Sequence, residues 1–311
     1  MDIRKLEVFC KVIELKSFTK AAEWAMLSQP TVSEHIRSLE QQLGQQLIDR
    51  LGRTVEVTPV GRLFYGYALK LIRLQEESLQ AVERFSGHLA GRVILGSSTI
   101  PGTYILPRLL AALFKAHPDI QADLNIANSR ATARKVMDGS YDLGIVGARW
   151  NDRSLQWTRI YQDRLTLAVP PGSPLTARSS VQVEDLLGHP FILREPGSGT
   201  RKMVARILER KGCRENDLQK VTVIGSTAAV KEAIKAGLGI SILSRRALSE
   251  DIDRATIIGL SLEDDAMERP FYLIQRKNRA LTPVAAAFSA LLLRDAELTS
   301  RPPLSEEPDR L

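Results

Sequence analysis

Between Ser28 and Gly44 the chain reads SQPTVSEHIRSLEQQLG, and the order of residue types there fixes a short amphipathic helix. Ser28 suits an N-cap, and Pro30 falls in the first turn, where a missing backbone N–H costs little. Val32, Ile36, Leu39 and Leu43 follow at steps of four, three and four, so they share one face that has to be covered. The opposite face carries Pro30, Thr31, Ser33, Glu34, Arg37 and Gln41.

The cover comes from just upstream. Leu6, Phe9 and Ile13 make one apolar face between Asp2 and Lys16. Thr19 is placed to cap a second helix over 20–26, whose Ala21, Ala22 and Ala25 permit close approach. Three short helices with one polar helix start left outward suit a helix that enters the major groove. There Ser and Thr reach phosphates or base edges, Arg37 pairs with guanine or phosphate, and Glu34 accepts from a cytosine amino group. A plain helical bundle with a solvated outer face gives the same pattern, and these residues alone leave both open.

Charge does not choose between them. The chain of 311 residues carries a formal net charge of +7, yet residues 1–90 hold 12 Lys or Arg against 11 Asp or Glu. Overall basicity therefore locates no DNA-binding surface. The 44% hydrophobic content is that of a globular protein long enough for more than one domain. No apolar run is long enough to span a bilayer and no leader-like start is seen, so a cytoplasmic protein without membrane contact is expected. Cys10 and Cys213 stand far apart, which argues against a structural disulfide, and Cys10 falls in the first helix's apolar pattern.

The longer stretch LEVFCKVIELKSFTKAAEWAMLSQPTVSEHIRSLEQQLGQQLIDRLGRTVEVTPVGR, Leu6 to Arg62, resembles the winged helix-turn-helix of LysR-type transcriptional regulators. The likeness lies in Phe18-Thr19-Ala21-Ala22, in Leu27-Ser28-Gln29-Pro30 through Ser33, in Ile36-Leu39-Glu40 and in Leu43-Gly44. It continues through Leu47, Asp49-Arg50, Arg53, Thr58-Pro59 and Gly61. It departs from the family's pattern at Ile48, at Trp24 and at Glu34 on the reading face. The resemblance implies DNA contacts from Gln29, Pro30, Thr31, Ser33 and Arg37, and from Arg50 and Arg53 at the wing, where Arg reaches the backbone or a narrow minor groove; Ser28 and Glu34, on the same polar helix start, are candidate contacts beside them. An ion pair of Arg50 with Asp49 or Glu40 that merely stiffens the wing is the structural alternative.

Thr58-Pro59 begins a long helical pattern that runs to about Ser86. Along it Tyr67, Leu71, Leu74, Ser78, Ala81 and Phe85 alternate steps of four and three, a seam that asks for a partner helix. The position resembles the family's dimerising linker helix, which implies a homodimer or homotetramer reading two half-sites of a double-stranded operator. A hinge is expected at Ser86 to Arg92.

Beyond it RVILGSS, IQADLNIA, YDLGIVGA, RLTLAVPP, PFIL, KVTVIG and GISIL read as strands alternating with helices, an α/β pattern expected to be mostly parallel. This is similar to the family's two-lobed, periplasmic-binding-protein-like effector domain. The expected architecture is multi-domain, α and α/β. It comprises a winged helix-turn-helix at 1–58, a linker helix and hinge at 59–90, an effector-binding domain at 91–300 and a disordered tail at 301–311. One lobe would be 91–164 with 269–300, the other 165–268.

GSSTIPG, NSRAT and PGSGTR each set hydroxyls and backbone N–H groups between a strand end and a helix start, a favourable place for an anion. Ser98, Thr99, Asn128, Ser198, Thr200 and Thr227 are the candidate contacts, with Arg201 adding charge. Helix capping alone would also explain each hydroxyl. GSSTIPGTYILP and REPGSGTR resemble the family branch that regulates sulfur, selenium and carbon assimilation, which implies a small inorganic or carboxylate effector.

Enzyme signatures are lacking. PGSGTRK has no Gly-Lys-Ser/Thr ending, Ser97 and Ser98 lie in no nucleophile elbow, and the four histidines are scattered. Neither cofactor nor metal is expected. The reading is a DNA-binding transcriptional regulator under an anionic small-molecule effector, with RNA polymerase as a further partner. A cytoplasmic solute-binding protein that uses its first helices only to dimerise is the alternative.

Overall fold

The computed structural model describes residues 2–49, 55–85, 89–178, 180–263 and 267–300. Two compact units divide them, one up to Gly91 together with Asp138–Ser140, and one of the remainder from Arg92 onward.

The first unit holds α1 (Ile3–Leu15), α2 (Phe18–Ala25), α3 (Gln29–Leu43), β1 (Ile48–Asp49), β2 (Glu56–Val57) and α4 (Pro59–Phe85). Asp2 caps α1 by accepting from the Arg4 N–H at 2.9 Å. The cap of α2 is Ser17 and not Thr19: Lys16 turns left-handed at φ 49°, Ser17 is extended, and its Oγ accepts from the Lys20 N–H at 3.2 Å. Leu6, Phe9, Val32, Ile36 and Leu39 fill the core. Leu43 does not join them, because α3 ends there and leaves it 37% exposed. Gly44 follows at φ 63°, a left-handed position whose N–H closes the helix on the Gln41 carbonyl.

Thr58 ties α4 to the wing. Its Oγ1 donates to the Gln46 carbonyl at 2.8 Å and accepts from the Gly61 N–H at 2.9 Å. Gly61 then packs against main chain, where an added Cβ would stand 2.0 Å from the Leu47 carbonyl oxygen. On the expected seam, Tyr67 and Leu74 are more than half exposed and Leu71 is 38% exposed. The side chains of Ala81 and Phe85 lie outside the described residues, as do Ser86 to His88 of the hinge and the whole tail 301–311. Cys10 is buried among α1 neighbours, and burial, then the Glu14 charge, raise its thiol far above the usual range.

The second unit runs β3 (Gly91–Ser98), α5 (Thr99–Tyr104), α6 (Leu106–Ala116), β4 (Ile120–Ala127), α7 (Ser129–Met137), β5 (Leu143–Val146) and β6 (Leu155–Val169). It continues with β7 (Phe191–Arg194), α8 (Gly199–Arg210), β8 (Lys220–Ile224), α9 (Thr227–Lys235), β9 (Ser241–Ser244) and α10 (Arg245–Asp253). It ends with β10 (Ile258–Leu260), β11 (Glu268–Arg276) and α11 (Pro283–Ser300).

The expectation of mostly parallel pairing needs correction. β3 with β5 and β7 with β8 run parallel, but β11 runs antiparallel to β5 and β6, and β6 antiparallel to β9 and β10. The cause is the long strand β6. From Leu155 to Arg164 it pairs with β11, and from Leu165 onward with β9 and β10, so one strand serves two sheets. Separate cores lie on either side: Val136, Val146, Leu155 and Ile274 in one lobe, Leu165, Leu186, Phe191 and Ile207 in the other.

Candidate functional site

On α3 the buried stripe fixes which residues face outward. Gln29, Pro30, Glu34 and Arg37 are exposed, and Thr31 and Ser33 half-buried. Ser28 Oγ accepts from the Thr31 N–H at 3.3 Å and lies 2.7 Å from Thr31 Oγ1, so these two hydroxyls cap the helix. Arg37 donates to Glu34 Oε2 at 3.2 Å, with both side chains more than half exposed. The helix thus presents a cation and an anion side by side.

Glu40 takes a backbone role at the wing, and its weighed pairing with Arg50 lies outside the described residues. Its Oε1 accepts from the backbone N–H groups of Leu47 and Ile48, at 2.9 and 3.2 Å, and fastens the end of α3 to the start of β1. The strands pair as Ile48↔Val57 and Asp49↔Glu56, and Arg50 and Arg53 fall outside the described residues between them.

In the second unit, the three stretches singled out from sequence come together. Ser98, Thr99, Asn128, Ser198 and Thr200 line one pocket of about 20 Å³ with Ser129, Arg194 and Arg269. The lobes touch beside it. The Arg130 N–H donates to the Gly197 carbonyl at 3.2 Å, and a Cβ on Gly199 would stand 2.8 Å from the Gly147 carbonyl oxygen. Gly197, at φ 90°, faces Asn128 in the same seam. The glycines of PGSGTR therefore serve close approach between lobes.

The pocket offers donors. Thr200 Oγ1 accepts from Arg269 at 3.2 Å, Ser129 Oγ from the Gly147 N–H at 3.2 Å, and Ser198 Oγ from the Arg201 N–H at 3.4 Å. Each hydroxyl so engaged keeps its O–H to give. Asn128 likewise accepts at Oδ1 from the Ala131 N–H at 2.9 Å, which leaves its amide N–H groups. Arg194 and Arg269 are 4% and 5% exposed. Arg194 holds Glu195 through Nε at 2.9 Å and Nη2 at 3.1 Å, and bonds Thr227 Oγ1 through Nη1. Arg269 holds Asp163 through Nε and Nη2. Neither fork is exhausted by these bonds, so each keeps an N–H group for an acceptor.

Two sequence candidates stand elsewhere. Arg201 leans along α8 to Glu215, donating at 2.7 and 3.1 Å, and to the Arg194 carbonyl at 3.1 Å, so its charge is spent outside the pocket. Thr227 is one residue removed, holding Arg194 in place of lining the pocket. The guanidiniums that do line it were missed. Arg194 ends an apolar strand, PFILR, where a charge has to be buried with a partner, and that was the legible signal.

Residues 3–62 match the family description "Bacterial regulatory helix-turn-helix protein, lysR family", and residues 86–297 match "LysR substrate binding domain". The HTH-type transcriptional regulator CysL of Bacillus subtilis is 33% identical over 264 residues, covering 85% of this chain and 87% of its own. Full-length OxyR from Pseudomonas aeruginosa, a single-substitution variant, shares the fold. Its TM-score is 0.72 and its identity 22%, over 99% of both chains. The Synechocystis PCC6803 CcmR regulatory domain in complex with 2-PG aligns at TM-score 0.62 and 26% identity, over 67% of this chain and 98% of that one. Among the described residues, no helix is long and apolar enough to cross a membrane.

Proposed function

The chain belongs to the LysR family of DNA-binding transcriptional regulators, and from that premise we propose that a small oxyanion held between Arg194 and Arg269 controls how its helix-turn-helix engages an operator. One observation carries the reading: two buried guanidiniums converge with hydroxyls on one small pocket whose spare groups are donors. An acceptor-rich anion satisfies such a set, and charge-assisted bonds of this kind are the strong ones. The pocket's small volume favours a compact group such as sulfate, phosphate or carboxylate. The CcmR regulatory domain, described in complex with 2-PG, supports a small-molecule ligand for a domain of this fold.

The apolar seam of α4, exposed at Leu63, Tyr67, Leu74 and Val82, packs against a second copy in the working assembly. Dimers pair into a tetramer, and the heads read two half-sites. Domain boundaries follow the lobes: the wing and its helices read DNA, α4 joins subunits, and β6 and β11 link the lobes. Anion binding draws the lobes together about those strands and changes the angle between dimers, DNA bending and contact with RNA polymerase. The protein acts in the cytoplasm without cofactor or metal.

The test is calorimetric titration of the full-length protein with inorganic sulfate and phosphate. Arg194→Met weakens binding at least about tenfold, the worth of one charge-assisted hydrogen bond, and Thr99→Ala weakens it less. Unaltered affinity in both variants would overturn the assignment.

A further inference from the structure

A second, larger cavity of about 310 Å³ adjoins the oxyanion pocket. The two share Gly199 and Arg269 in their walls. Around the larger one stand Arg149, Lys202 and Arg206 as well as Arg269, with the ring of Trp150, and no carboxylate is among the described residues that line it. Four cations with no anion thus line one concave wall, and of the four Arg269 is ion-paired, with Asp163.

The cations are arranged along α8. Lys202 and Arg206 follow Gly199 at steps of three and four, so they share its face. A rise of 1.5 Å per residue sets them about 4.5 Å and about 10 Å along the axis from Gly199. Among the described residues the Lys202 ammonium has no acid partner. It donates to the Arg149 carbonyl at 2.6 Å and lies 4.8 Å over the Trp150 ring. Burial, and then the Arg206 charge, push its pKa below the usual lysine value. Asp163 occupies the far edge of Arg269, in the crossing strands.

We propose that this cavity takes a second anionic group, and that the effector is an organic bis-anion bridging the two pockets, one end between Arg194 and Arg269 and the other against Lys202 and Arg206. The inference rests on the smaller pocket holding an oxyanion. It adds that a bare inorganic anion fills only half of the site. The larger volume lies at the lower end of ordinary small-molecule pockets, enough for a short carbon chain and its terminal charge.

Probes of graded length test this: methylphosphonate against phosphonoacetate, 3-phosphonopropionate and 4-phosphonobutyrate, titrated into full-length protein by calorimetry. At least one bis-anion binds tenfold or more tighter than methylphosphonate, with an optimum along the series. Lys202→Gln with Arg206→Gln, both on the outer wall of α8 and checked for folding by circular dichroism, brings the two affinities to within twofold. Methylphosphonate binding with no gain from any bis-anion overturns the second subsite and leaves the first standing. A gain that persists in the double variant also overturns it. Absence of binding by every probe overturns both.

Discussion

Arg269 grips the fully buried carboxylate of Asp163 through Nε at 2.9 Å and Nη2 at 2.8 Å, and the same guanidinium reaches Thr200 Oγ1 at 3.2 Å. Asp163 belongs to β6 and Arg269 to β11, the two strands that pass between lobes, and Thr200 opens α8 of the second lobe. Ser244 Oγ, at 2.7 Å, holds the other carboxylate oxygen. An anion that meets Arg269 therefore meets the ion pair lying where the lobes are joined.

Cutting that pair has a clear expected result. Arg269→Met strands a buried carboxylate and lowers stability by about 3–5 kcal/mol, measured by urea denaturation followed through the effector unit's tryptophans, Trp150 and Trp157. Arg269→Lys keeps the charge but not the fork, so it falls between the two. A loss under about 1 kcal/mol in the Met variant would show that Asp163 finds another partner.

Gly199→Ala tests the closeness of the lobes. Its methyl would stand 2.8 Å from the Gly147 carbonyl oxygen, on main chain that has little room to yield. Overpacking of this kind costs about 1–3 kcal/mol, charged here to the state in which the lobes meet. Phosphate affinity falls about tenfold or more while denaturation of the first unit stays put. Native affinity in the alanine variant would mean that the seam opens freely.

The fold was legible where a pattern is local, and less so where pairing is distant. The stripe Val32-Ile36-Leu39 announces α3, and Thr58-Pro59 announces α4, because caps and periodicity act within a few residues. The clustering of Ser98, Asn128 and Ser198 followed from strand-end hydroxyls. The direction of β11 against β6 did not, since no local signal tells a strand which neighbour it will meet. Arg201 and Arg194 illustrate the same limit at the site. Both are arginines beside a glycine-rich turn, and Glu215, fourteen residues on from Arg201, holds that one away while Arg194 lines the pocket.

Gly61→Ala examines the joint between wing and linker helix. With a Cβ only 2.0 Å from the Leu47 carbonyl oxygen, α4 has to shift against β1. Thermal melting of the DNA-binding unit drops by several degrees, from a cost of about 1–3 kcal/mol. A melting point equal to the native one would place α4 farther from the wing than this packing has it.

Glu34→Gln bears on the reading face. The native carboxylate both engages Arg37 at 3.2 Å and repels phosphate. Exposed pairs of this sort are worth at most about 1 kcal/mol, so the variant binds random DNA tighter by up to about fivefold and shows a steeper salt slope. Weaker binding to operator together with tighter binding to random DNA would assign Glu34 to a base contact. No change on either would remove α3's outer face from the interface.

The most direct measurement is fluorescence anisotropy of the full-length protein on its own upstream intergenic DNA and on a scrambled copy, across a salt series, with Arg37→Ala beside it. A preference of about a hundredfold or more for the native segment that survives physiological salt, and shrinks to less than about tenfold in Arg37→Ala, is the predicted result. Equal binding to both DNAs that vanishes as salt rises, unaffected by Arg37→Ala, would contradict sequence reading by α3.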